Sequence, residues 1–365
     1  MNRPQMLIIA ASLAVANAAF AAPASMLEAS NPFARVSTLP LHYPAFDKIK
    51  NEHYEPAFAE GMRQEALEVE AIANNPKPAT FENTIVAMER SGQLLDRVSS
   101  VFGNLSGANT NDTMQSIQRS LSPKLSAHSD SIRLNEKLYA RIKGLYDKRD
   151  TLKLDAESKF LLERYHTDFV RAGAKLSAGD KEKLRAYNSQ LATLQTTFAQ
   201  NVLKEANAAA LVVDKREELA GMSDAAIDAA AATAKTRGME GKFVIPVTNT
   251  TGQAPLSVLT NRATRQRLIE ASMGRGSRGG DFDNRGNVVK LAKLRAERAA
   301  LLGYPSHAAY SLEDQTAKDT ASVNKLLAEF AKPAVANAKK EAEEIQKMID
   351  AEKGGFGLAA HDWSY

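Results

Sequence analysis

No cysteine occurs anywhere in the 365 residues, which excludes disulfides and thiolate metal sites. Aromatic side chains are scarce, at 6%, and there is a single tryptophan, Trp363. Glycine and proline are modest while alanine is abundant, a balance that favours helix over sheet. Neither sign of charge dominates. The net charge is +4, both signs are interspersed, and so small a bias does not argue for nucleic acid as a partner. Long apolar runs are missing beyond the first 21 residues, so no later stretch is apolar enough to cross a bilayer. Catalytic motifs are missing as well. A helical zinc site takes two His four apart with a Glu between them, and no H-E-x-x-H occurs. The six histidines are His42, His53, His128, His166, His307 and His361, and no two fall within a helical turn of each other. They read as isolated surface or core residues. No G-x-S-x-G elbow is present either, because Gly276-Ser277-Arg278-Gly279 lacks its leading glycine.

What is present begins with an export signal. Arg3 precedes an apolar run from Met6 to Val15, and Ala19-Phe20-Ala21 supplies a small-residue cleavage pattern. Residues 1–21 therefore read as a signal peptide cut after Ala21, too short to be a membrane anchor. The mature protein is expected outside the cytoplasm, in the periplasm of a Gram-negative cell. Residues 22–45 read as an extended lead-in and 46–365 as one helical body.

Periodicity fills that body with helices. The second half of Lys159–Asn207 carries apolar residues at Leu184, Tyr187, Leu191, Leu194, Phe198 and Val202, alternating steps of three and four. The first half has a similar stripe of Phe160 or Leu161, Tyr165 and Phe169, and Ser177 with Asp180 resembles a capping box. Upstream, helix is expected over 47–72, with Ala57, Phe58, Met62 and Ala66 on one side. A break follows at 74–78. Thr80 should cap one long helix striped by Phe81, Ile85, Met88, Leu95, Val98, Phe102 and Leu105. Residues 116–146 read as helix interrupted near Pro123. Lys242–Val247 is the one convincing strand, followed by turn chemistry, so a short strand or hairpin is expected around Lys242–Val258. Helices are expected over 261–273, 287–302 and 320–353, the last bent at Pro333.

The most suggestive polar feature is the loop Gly274–Gly286. Arg275, Arg278 and Arg285 can bind a peptide carboxylate or a phosphate there, and the loop superficially resembles an RGG nucleic-acid segment. The plainer reading is a connector between two helices. Glu341, Glu343 and Glu344 lie among lysines and read as a solvated face. The residues alone thus give an exported helical protein with no complete active site.

Several long blocks, in order from Asn31 to Tyr365, resemble the thimet oligopeptidase and peptidyl-dipeptidase family of zinc metallopeptidases. They include NPFARVSTLPLHYPAFDKI, PATFENTIVAMERSGQLLDRVSSVFGNL, ERYHTDFVRAGAKLS, VIPVTNTTGQAPLSVLTNRATRQRLIEAS and LAKLRAERAALLGYPSHAAYSLEDQTA. The last five residues resemble the family's Trp-Asp-Trp segment, with His361 where proline is more usual. EGMRQEALEVEAIANN and ERSGQLLDRVS favour the bacterial peptidyl-dipeptidase type over oligopeptidase A.

The resemblance implies a mainly α protein with two lobes flanking a narrow channel for short unstructured peptides. It implies one zinc per complete enzyme, held by the two His of H-E-x-x-H and a downstream Glu. It also implies release of C-terminal dipeptides. No residue of 1–365 matches the zinc ligands, the catalytic Glu or the later Tyr and His of that pattern, so no catalytic, metal or substrate residue is assigned. The chain is expected to be the N-terminal lobe with an incomplete start of the catalytic part, inactive alone and lacking its C-terminal catalytic half. A different reading is a non-catalytic helical module that binds peptides or a partner.

Overall fold

A computed structural model describes residues 26–247 and 253–365. The expected signal peptide, residues 22–25 of the lead-in and part of the turn after the strand lie outside the described residues. The chain is mainly α. In order, its helices are α1 (Tyr54–Ala73), the single turn α2 (Ala87–Glu89), α3 (Gln93–Ala108), α4 (Asp112–Arg133), α5 (Glu136–Tyr146), α6 (Ala156–Arg171) and α7 (Ala178–Ala208). Strand β1 (Leu211–Val213) follows, then α8 (Asp224–Thr236) and strand β2 (Phe243–Ile245). The order closes with α9 (Arg262–Met273), α10 (Arg285–Leu301), α11 (His307–Leu312) and α12 (Thr320–Ala351).

The chain divides into two compact units. Among the described residues, one holds those up to 110 and 135–168, the other those of 111–134 and from 169 on. In the first, α1 packs on α3 and α5. Its core is aromatic at one end. Tyr54 sits 4.9 Å from Phe102 and 5.7 Å from Phe33, and Phe58 meets Phe102 edge-on at 5.5 Å. Gly61 lets the two helices approach, since a Cβ there would lie 2.9 Å from the Leu95 backbone. Glu60 is buried and its carboxylate takes hydrogen bonds from Arg63, Gln64 and the Met26 backbone N–H. Those bonds outweigh the desolvation that opposes ionisation and hold its pKa at about 2.

In the second unit α7 packs against α4 and α10. The α4–α7 seam is polar as well as apolar. Ser122 Oγ donates to the Ala192 carbonyl at 2.9 Å, and Gln200 Nε2 donates to the Gln115 carbonyl at 2.9 Å. β1 and β2 pair antiparallel, with Val212 opposite Val244. Around them Leu211, Val213, Leu219, Ile227, Ile245 and Leu268 form a buried apolar cluster.

The strand expected at Lys242–Val247 is β2, and among the described residues no strand follows it to make a hairpin. Its partner is β1, a three-residue apolar run in an alanine-rich stretch of the sequence. The single helix expected after Thr80 is two. Thr80 caps a π-type turn, Phe81–Val86, and the chain breaks at Gly92, whose φ of 72° only glycine adopts cheaply. The interruption expected near Pro123 is absent. α4 runs through that proline and ends at Leu134, where Asn135 caps the next helix. A proline removes one backbone hydrogen bond, and packing along α7 holds the remaining turns in place. The expected bend at Pro333 likewise leaves α12 unbroken as a helix. The first helix begins later than expected, because Asn51–His53 is a 3₁₀ turn ahead of α1. In α6 Leu162 and, of the expected face, Phe169 are buried, while Phe160 is 66% exposed. In α7 Leu184 and Leu191 are buried, and Ser177 accepts the Asp180 N–H as its cap.

Candidate functional site

Two polar arrangements in the second unit bear on function. The first is the loop between α9 and α10. It is rich in glycine because the turn requires it: Gly276, Gly279 and Gly280 all have positive φ. Asn284, almost fully buried, staples the loop to α7. Its Nδ2 donates to the Phe198 carbonyl at 3.0 Å and its Oδ1 accepts from Asn201. Arg278 pairs with buried Glu205 at 3.1 Å and donates to the carbonyls of Gly274 and Ala271. Arg285 grips Asp283 at 2.7 Å. Hydrogen bonds from Arg285, then from the Arg285 and Gly279 backbones, hold Asp283 at a pKa of about 2. Arg275 Nη2 faces Ser272 Oγ at 3.4 Å. The arginines expected to offer an anion site thus make hydrogen bonds within the loop, to the end of α9 and to α7. They do not converge on a common point, and the loop is built as a connector.

The second arrangement joins α9 to the far end of the chain. Arg262 and Arg265 stand three apart, on one face of the helix. Both point at Asp362, which lies in a short 3₁₀ turn, Ala360–Asp362. Arg262 Nη2 reaches Asp362 Oδ2 at 2.9 Å and Arg265 Nη2 reaches Oδ1 at 2.9 Å. The Ala359 N–H adds a third donor at 3.1 Å. Arg265 also donates to the Leu259 carbonyl at 2.6 Å, and the ring of Tyr365 covers its guanidinium at 4.0 Å. Burial alone would raise the Asp362 pKa. The two guanidinium groups and the backbone donor overcome it and hold the carboxyl at about 2. Sequence reasoning marks the final residues by their resemblance but not this clamp. Its partners are about a hundred positions apart, and only the i,i+3 spacing of Arg262 and Arg265 hints at a shared target.

A longer polar chain ties α4, α7, α10 and α11. Asn188 donates to Asp130 at 2.8 Å and accepts from Arg298 at 2.8 Å. Tyr310 takes Arg171 on its ring at 4.6 Å and Arg298 at 5.0 Å. Burial raises the pKa of Asp130, against the neighbouring Asn188 hydrogen bond and cationic side chains.

The six histidines do not assemble. His42 Nδ1 donates to the Ser37 carbonyl, and His53 Nδ1 accepts from the Lys50 N–H. His128 lies on α4 and is half-buried. His166 stacks on Tyr146 at 3.7 Å, and His307 faces Tyr310. His361 is buried beside Asp362. Among the described residues no group of three or more His, Asp or Glu is placed to hold a metal ion. No described helix is long and apolar enough to cross a membrane.

These features define a helical scaffold braced by buried ion pairs. Residues 256–365, which contain the loop and the Asp362 clamp, match the model of Peptidase family M3. Over that stretch the chain resembles this family of peptidases. It is 42% identical over 335 residues to a dipeptidyl carboxypeptidase of Escherichia coli (strain K12), covering 92% of this chain and 49% of that protein. It is 41% identical to the dipeptidyl carboxypeptidase of Salmonella typhimurium (strain LT2), over the same shares of the two chains. An oligopeptidase A of Haemophilus influenzae is 26% identical, covering 91% of this chain and 49% of that protein. The chain thus spans about half the length of the curated relatives it matches. The family is generally zinc-dependent. The described residues do not fit that metal, since no three candidate ligands converge.

Proposed function

We propose that this chain is the N-terminal, non-ligating half of an exported zinc peptidyl-dipeptidase, which removes C-terminal dipeptides from short unstructured peptides. The observation that carries this is likeness to dipeptidyl carboxypeptidases along nearly the whole chain, coupled with the lack of any H-E-x-x-H. On this reading the metal ligands and the catalytic Glu lie in sequence outside residues 1–365. What residues 1–365 contribute is framework. The Asp362 clamp fixes the last turn against α9, and the α4–α7–α10 chain holds the helices on which a channel wall would be built. Residues 46–365 form the helical lobe together with the incomplete start of the catalytic part.

The test is an assay of dipeptide release from an N-terminally blocked peptide by the purified chain, with and without a chelator. No release is expected. Release that a chelator abolishes would overturn the division of labour. Export is tested separately, by N-terminal sequencing of the protein recovered outside the cytoplasm. A mature terminus at Ala22 supports it, and an intact Met1 would refute it.

A further inference from the structure

The first unit contains a cavity of about 600 Å³, remote in sequence from the family-matched residues. Its floor is α3, through Arg97 and Val101, and its walls are the segment 32–49. Phe33, Val36, Leu39 and Ile49 line it with apolar surface. The wall is a built structure rather than loose chain. Ser37 Oγ donates to the Tyr43 carbonyl at 2.6 Å and accepts from the Leu39 N–H, while its own carbonyl accepts from His42. That clasp holds Leu41 and His42 at φ of 55° and 56°, a left-handed pair that non-glycine residues adopt only at a cost.

One group in the cavity is unsatisfied. The Nε of Arg97 is buried and has no hydrogen-bond partner among the described residues, while the residue as a whole is half-buried. Burial pulls the Arg97 pKa below its ordinary value, and no acidic neighbour offsets it. Asp96, next in the chain and also lining the cavity, is solvent-exposed. A half-buried guanidinium with an unpartnered Nε is free to take a ligand, and a planar carboxylate suits its fork of donors. The apolar walls then suit the rest of such a ligand, and the volume is that of small-molecule sites.

We propose that this cavity binds a small amphiphilic carboxylate, its charge on Arg97 and its apolar part against Phe33, Val36 and Leu39. An apolar dipeptide and a medium-chain fatty acid share that chemistry. The site is independent of the peptidase reading and would stand if that reading fell.

The experiment is thermal unfolding and calorimetric titration of the purified chain with Phe-Leu, with its C-terminal amide and with octanoate. At least one of the two carboxylates should bind saturably and raise Tm, and the amide should bind at least tenfold more weakly. Which carboxylate binds identifies the source. Arg97→Gln should lose at least tenfold in affinity while its own Tm is unchanged, because the half-buried guanidinium has no ion pair among the described residues to lose. A purely structural arginine would instead lower Tm. Val36→Asp, at an exposed wall position, should also abolish binding without unfolding the chain. Three results would each overturn the proposal: neither carboxylate binding at millimolar concentration, the amide binding as well as the acid, or Arg97→Gln binding like wild type.

Discussion

Replacing Asp362 by Asn should destabilise the second unit by about 3 kcal/mol, the scale seen when one member of a buried ion pair is removed. Asp362 and Arg265 are respectively 4% and 2% exposed, so solvent screens the pair little. Asparagine keeps the shape and one acceptor but leaves Arg262 and Arg265 without their counter-charge. The pH dependence gives a second estimate from the same geometry. Lowering a carboxyl from 3.8 to about 2 corresponds to roughly 2 kcal/mol. A depressed carboxyl stabilises the fold fully above its unfolded value, near 4, and loses that contribution as pH falls through its folded value. Wild-type stability should therefore drop between about pH 4 and pH 2, and Asp362→Asn should flatten that part of the profile. Trp363 is the chain's single tryptophan and adjoins Asp362, so its fluorescence follows urea unfolding at the clamp itself. A loss under about 1 kcal/mol, or parallel pH profiles for the two proteins, would refute the view that this clamp is a strong buried pair.

Other substitutions test the backbone. Gly221 has φ of 94°, and a Cβ there would lie 1.9 Å from the Val258 carbonyl oxygen, so Gly221→Ala should cost several kcal/mol, on the order of the largest single-site effects, in chemical denaturation. Gly279 has φ of 82° but opens onto empty space, so Gly279→Ala should cost only about 1 kcal/mol; equal losses at the two sites would show that close approach is irrelevant. Ser177→Ala removes the cap of α7 and should lower stability by about 1 kcal/mol, with Ser177→Asp restoring most of it.

The helices were legible where a stripe and a cap coincide. Ser177 before α7 and Thr80 before the Phe81–Val86 turn each accept the backbone N–H that their type and position suggest. Errors arose where tertiary packing outvotes a local rule. Pro123 does not break α4, because that helix lies along α7. Gly92 does break a run whose apolar spacing continues through it, because a left-handed residue turns the chain there. β1 was illegible because three apolar residues carry no period, and only their partner β2 gives them a state. The charged arrangements were hidden for a different reason. Composition shows arginines and aspartates but not which pairs lose their water. The arginines of the Gly274–Gly286 loop are the most conspicuous in the sequence, yet they are internally engaged. Arg262 and Arg265, in an ordinary helix, meet a buried carboxylate a hundred positions away.

α12 spans 32 residues without a buried one, so about 48 Å of helix depends mainly on its own backbone bonds. Helices of that kind usually fray from their tips. Here both tips are tied. Asp319 accepts the Ser322 N–H at 2.7 Å, and Gln346 accepts from the Leu358 N–H while donating to the Phe356 carbonyl. Opening from a tip must first break these ties, about 1 kcal/mol for a cap, whereas an opening in the middle pays the nucleation penalty of a new helix end. Pro333, already missing one bond, is the weakest interior point. The helix is thus thinly supported along its length and held mainly at its ends.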